Sequence, residues 1–146
     1  VLGATIKIPT GVGHVWFDLG YLSLAAASVT IGPWAALVGA FGALIESALF
    51  SGWGISWSWT IGNLIVGAIT GFTFKYTKKY LLRTASSVIA FALGILLAKT
   101  AIEVALGYGV WAVKLGTNGF AAAMDLVVFM VGVTVTQPFA NKLEVK

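Results

Sequence analysis

The sequence predicts an all-α integral membrane protein, and three observations carry that reading. Hydrophobic residues make up 59% of the chain and charged residues only 10%, whereas a soluble domain usually carries about 25% charged residues. The mean hydropathy is +0.96. From Leu19 to Ile45, 27 consecutive residues carry no charge, more than the roughly 20 that one helical span needs. Gly32-Pro33 interrupts that run. Proline ends a preceding helix by steric clash and sits well in the first turn of the next, so the stretch reads as a helical hairpin with Asp18 at its front and Glu46 near its back.

The chain is read as a single transmembrane helical domain over residues 1–146. Val1 to Ile8 is apolar except for Thr5 and Lys7, too short to span, and reads as the last turns of a helix, ended by Pro9, Gly11 and Gly13. It opens on Val1 with no basic n-region or cleavage pattern, so the chain is expected to be trimmed or processed, with no intact signal peptide. Five spans follow. They are expected at about 18–31, 33–50, 59–74, 81–106 and 120–136, with Pro138 stopping the last. Ser51 to Ser58 (SGWGISWS) and Gly107 to Gly119 read as glycine- and tryptophan-bearing loops.

Orientation follows from the basic residues. Lys75, Lys78, Lys79 and Arg83 stand between the third and fourth spans, and Lys142 and Lys146 lie beyond the fifth. Two spans separate these places, so they share a side, and the positive-inside rule makes that side cytoplasmic. The reading is a multi-pass cell-membrane protein with the basic 75–83 loop and the C-terminus inside. Nucleic acid is excluded as a partner because no basic stripe is present.

The polar residues then sort by depth. Asp18, Glu46, Asn63, Lys99, Glu103 and Asp125 all fall in the outer half of their spans, with His14 and Asn118 in outer loops. Charged groups within a span are unfavourable by several kcal/mol unless paired or facing water, which makes them functional candidates. Competing structural readings stand beside this one: Lys99 and Glu103 pair at i, i+4, and Asp18 caps a helix. Trp16, Trp53, Trp57, Trp59 and Trp111 also sit at outer ends. Interfacial belts explain single tryptophans, while glycine-rich loops bearing Trp53, Trp57, Trp59 and Trp111 suit a lid with flat stacking surfaces. The candidate substrate-binding set is therefore these residues together. His14 has no second histidine or cysteine to complete a metal site, no nucleophile–base arrangement or phosphate-cradling loop occurs, and no cofactor or enzymatic activity is expected. Small residues at Ala36, Gly39, Ala40 and Ala43, and at Gly67 and Gly71, allow close helix approach.

The segments LGATIKIPTGVG, DLGYLSLAAASVTIGPWAALVGAFGALIES and SGWGISWSW, followed by the glycine-bearing third span, resemble the S components of energy-coupling-factor (ECF) transporters, nearest a branch of uncharacterised substrate. The resemblance is most specific from Ile8 to Trp59. It implies a six-helix bundle, of which only the end of the first helix and five spans are visible here. It also implies an outer pocket for a vitamin-like micronutrient, and as partners a transmembrane coupling subunit and two cytoplasmic ATPases. The chain departs from that branch where a histidine follows the Gly39/Gly42 pair: Ala43, Glu46 and Ser47 stand here. The alternative function is a non-transport accessory subunit packed in a larger membrane complex.

Overall fold

The structure, a computed structural model, describes residues 7–9, 16–50 and 54–143, with side chains placed for 18–50 and 54–142. Strand β1 (Lys7–Pro9) pairs antiparallel with β2 (Trp16–Asp18), Ile8 facing Phe17 across the ladder. This corrects the expectation of a helix end at Lys7 and Ile8. A residue preceding proline is pushed out of the α region into extended backbone, and Ile8 precedes Pro9. Val1 to Ile6, His14 and Trp53 lie outside the described residues.

Everything else of regular structure is helical. Helix α1 (Gly20–Thr30) leads through a 3-10 turn (Gly32–Trp34) into α2 (Ala35–Leu49). Helix α3 (Trp57–Tyr76) starts behind Ser56, whose hydroxyl accepts the Trp59 N–H at 3.4 Å. Helix α4 (Tyr80–Ala105) contains a π-helical segment, Ala92–Ala98, and α5 (Trp111–Leu143) has 33 residues. Among the described residues Gly32–Leu49, Tyr80–Ala105 and Trp111–Lys142 are long and apolar enough to cross a bilayer. With 11 residues, α1 is only about 16 Å long at the usual rise and does not span by itself.

Two expected boundaries are overturned at α5. Only Gly107 to Val110 lie outside helices in the expected 107–119 loop. Gly116 and Gly119 weaken a helix there, but Lys114 and Asn118, one turn apart, both bind Glu103 of α4, and that tertiary contact favours the helical spacing. Pro138 does not end the helix either, which runs on to Leu143. Proline inside a helix removes one backbone hydrogen bond, a loss that membrane helices tolerate when neighbouring groups take up the freed carbonyl.

Helix α3 is central, packing on α1, α2 and α4, while α1 packs on α5. Rings run through the core from Trp59 to Tyr21 (6.2 Å), Phe91 (5.1 Å), Phe129 (5.5 Å) and Phe74 (6.1 Å). The small residues serve internal packing. A methyl group added at Gly39 would meet the Asn63 carbonyl oxygen at 2.7 Å, and one at Gly67 the Ala35 oxygen at 2.5 Å. Gly71 faces the Gly32 carbonyl, and Gly32 itself takes φ +61°, where only glycine fits the turn without strain. Large apolar side chains point outward instead, among them Phe41, Leu49, Val127, Val131 and Val135, as a lipid-facing surface requires. Gly67→Val is expected to destabilise the bundle by about 1–3 kcal/mol or more, because the α2–α3 backbones cannot separate without losing contact along their length. Thermal unfolding in detergent checks this, and an unchanged midpoint would contradict the packing.

Between α3 and α4, Arg83 is buried at the end of the bundle that holds the α3–α4 connection. Its Nε donates to the Thr77 carbonyl at 2.8 Å and Nη2 to that of Phe74 at 2.9 Å. Both carbonyls belong to the last turn and cap of α3, where unpaired C=O groups and the negative end of the helix dipole favour a cation.

Candidate functional site

The opposite end of the bundle holds a buried polar cluster. Its first part centres on Glu103, which is 9% exposed. Lys114 Nζ lies 3.1 Å from Glu103 Oε2, and Lys99 Nζ lies 3.8 Å from Oε1. Asn118 Nδ2 donates to Glu103 Oε2 at 3.2 Å and to Thr100 Oγ1 at 3.0 Å, and Ser58 Oγ makes a long contact to Oε1 at 3.5 Å. One carboxylate thus ties the start of α3, the outer turns of α4 and the first turns of α5. The Lys99 ammonium also sits 4.4 Å from the Trp59 ring centre, a cation–π contact that strengthens when water is excluded.

The second part centres on Asp125 of α5, 1% exposed. Asp18, Lys99 and Glu46 are the charged groups that act on it, and the Asp18 main chain hydrogen-bonds its carboxylate. Its Oδ1 is buried without a hydrogen-bond partner among the described residues, as is the Tyr21 hydroxyl. Asn63 approaches that hydroxyl without reaching hydrogen-bond geometry, while its Nδ2 donates to the Trp59 carbonyl at 2.9 Å. Asp125, Asp18 and Glu46 all lie within electrostatic reach of Tyr21. Buried polar atoms are almost always satisfied, so two orphans in one cluster need an explanation.

Local structure explains how these side chains arrive. Asp18 ends β2, and its Oδ1 accepts the Gly20 N–H at 2.7 Å, turning the chain into α1. Tyr21 then follows in the first turn. Ser47 Oγ accepts the Ser56 N–H at 3.1 Å, which ties the approach to α3 against α2. The π segment of α4 lets Gly94 meet Gly62 of α3 at backbone distance, with the Gly62 oxygen 2.5 Å from where a Cβ would stand. Lys99, Thr100 and Glu103 follow directly after it.

Of the sequence-predicted residues, the structure brings together Asp18, Glu46, Trp59, Asn63, Lys99, Glu103, Asn118 and Asp125. Trp57 and Trp111, expected in loops, start helices α3 and α5 and are 57% and 49% exposed; Trp59 is helical, as the expected span from residue 59 has it. Trp16 lies on β2. Tyr21, Ser58, Thr100 and Lys114 were not singled out by the sequence. Lys114 was hidden because its segment reads as a loop; extending the helix by two turns places it one turn before Asn118. Among the described residues no group of three or more His, Cys, Asp or Glu side chains could hold a metal ion.

Comparison with known proteins agrees with this architecture. Over residues 1–144 the chain matches the family described as ECF-type riboflavin transporter, S component, and it belongs to that family. It is 35% identical over 74 residues to a UPF0397 protein of Streptococcus pneumoniae (strain Hungary19A-6), an alignment covering 50% of this chain and 40% of that protein. It is 38% identical over 74 residues to a UPF0397 protein of Enterococcus faecalis (strain ATCC 700802 / V583), covering 49% and 39%. The matched stretch thus spans about two fifths of the length of these curated relatives. No solved structure matches the chain.

Proposed function

We propose that this member of the S-component family captures a small vitamin-like molecule at the outer end of its bundle, as the substrate-binding membrane subunit of an ECF-type importer. One observation carries the reading: Asp125 Oδ1 and the Tyr21 hydroxyl are buried and unpartnered in the same cluster. A ligand offering an N–H or O–H donor beside an acceptor satisfies both. Trp59 and Tyr21 supply aromatic walls for a planar ring, and Lys99, Glu46 and Asp18 supply further polar contacts. The binding set we assign is Asp18, Tyr21, Glu46, Trp59, Asn63, Lys99 and Asp125, with Glu103, Lys114 and Asn118 holding the walls together. His14, Trp16, Trp53, Trp57 and Trp111 remain part of the proposal as rim residues.

The family description names riboflavin, which makes a flavin the first ligand to test. An isoalloxazine ring is flat and carries an imide N–H between two carbonyls, the donor–acceptor edge that Asp125 and Tyr21 call for. The basic 75–83 segment is placed in the cytoplasm by the positive-inside rule, which sets the cluster outward. The chain has no phosphate-cradling motif, so energy for import is assigned to a transmembrane coupling subunit and two cytoplasmic ATPases.

Mass spectrometry of the ligand retained on purification is the direct test. Riboflavin added to stripped protein is expected to quench tryptophan emission saturably, and Trp59→Phe to remove a large share of that quenching while retention persists. Protein that carries no small molecule and shows no quenching with any vitamin tried would favour the accessory-subunit alternative.

A further inference from the structure

The inner end of the bundle carries a second site that the capture reading does not use. A cleft of about 290 Å³ opens between the α1–α2 turn and the α3–α4 connection, with Gly32, Pro33 and Trp34 on one wall and Lys75, Lys78 and Arg83 on the other. Three cations line one small space. The four described acids, Asp18, Glu46, Glu103 and Asp125, all stand at the opposite end. Arg83 donates to the Thr77 and Phe74 carbonyls, and Lys75 and Lys78 are exposed.

Three features point to a lipid rather than a soluble anion. Trp34, on the cleft wall, and Tyr76, in the groove beside it, are both 68% exposed, the kind of aromatic expected at headgroup level. A shallow apolar groove lined by Phe72, Thr73, Tyr76 and Thr77 runs down α3 beside it. Lys75 joins the two: its ammonium lies 5.5 Å from the centre of the Tyr76 ring, which packs on Phe72 at 4.9 Å. A phosphate in the cleft would leave an acyl chain in the groove. We propose that this basic cleft and its adjoining groove bind one anionic phospholipid, phosphate against Lys75 and Lys78 and one chain along Phe72 and Tyr76.

The test uses the full chain in nanodiscs of mixed phosphatidylcholine and phosphatidylglycerol, followed by native mass spectrometry of lipids retained in detergent. Phosphatidylglycerol is expected to be retained over phosphatidylcholine by roughly 30- to 150-fold, the scale that two or three basic residues give at an anionic surface. The double variant Lys75→Gln/Lys78→Gln is expected to abolish that preference, Phe72→Ala to lower retention with all charges intact, and Lys79→Gln, outside the cleft lining, to leave it unchanged. The lysines are exposed, so an unaltered melting midpoint separates loss of the site from loss of the fold. Equal retention of the two lipids, or a preference that survives the double variant, would overturn the proposal. Displacement of the lipid by inorganic phosphate or by an acidic peptide would overturn it too, reassigning the cleft to a soluble anion or a protein partner.

Discussion

Glu103→Leu is expected to destabilise the protein more than any other single exchange at the outer end. The carboxylate stands between Lys99 and Lys114 and accepts from Asn118 and Ser58. Both lysines are largely covered, their side chains 13% and 25% exposed. Removing the shared acid leaves two like charges facing each other, with Asp125 the remaining described acid that acts on Lys99. Breaking a buried ion pair from one side is unfavourable by about 3–5 kcal/mol, and here two pairs go together. The partial exposure of Lys114 screens its share, so the loss is set mainly by Lys99. Glu103→Gln keeps an oxygen for Asn118 and Ser58 and should fall between leucine and wild type. Thermal unfolding of the three proteins in one detergent gives the order, and a leucine variant that melts with the wild type would show that the hub does not hold the helices. The effect should also spread: α5 is tied to α4 here through its first two turns, so proteolysis near Gly107 to Val110 should accelerate with the leucine variant.

Much of this arrangement is legible in the residues, and what escapes has physical causes. The hairpin turn at Gly32-Pro33, the small-residue face of α2 and the placement of Asp18, Glu46, Lys99, Glu103 and Asp125 towards one end of the bundle follow from charge, proline geometry and side-chain size, which act locally. Lys114 escapes because glycine at 116 and 119 signals a loop, and the interaction that overrides it lies on another helix. The strand at Lys7–Pro9 is foreshadowed by Pro9, but its partner is nine residues further along the chain and nothing local announces the pairing. The π segment at Ala92–Ala98 has no sequence mark at all beyond Gly94, which meets Gly62 of α3 at backbone distance. Tyr21 is hidden for a different reason: in an apolar span a tyrosine reads as belt or core, and only the unsatisfied hydroxyl beside Asp125 sets it apart.

Asp125→Asn is expected to separate binding from stability. Asparagine keeps the shape of the side chain and an oxygen that can accept from the Asp18 main chain, while it replaces one carboxyl oxygen at a position that is 1% exposed. A carboxyl group with one oxygen unpartnered is an unfavourable thing to bury, and the acids Asp18 and Glu46 act on it. The ligand-free variant should therefore melt at or above the wild-type temperature, the pattern of a site held in a strained state for function. Ligand capture should move the other way. A neutral hydrogen bond contributes about 0.5–1.5 kcal/mol and one to a charged group about 1.5–3, so affinity is expected to fall roughly 2- to 150-fold at 1.4 kcal/mol per decade. Tyrosine emission is of no use against the tryptophan background, so the tryptophan-quenching titration and the mass of retained ligand are the readouts. Tyr21→Phe should weaken capture by less, since a neutral partner is lost, and should likewise leave the melting temperature intact because no donor in the fold depends on that hydroxyl. A variant at Asp125 that melts lower and binds as well as wild type would make the carboxylate a structural group and remove the main support for the outer-end site. The stability gain and the affinity loss have one source, the vacant Oδ1, and only a ligand-binding role makes them appear together.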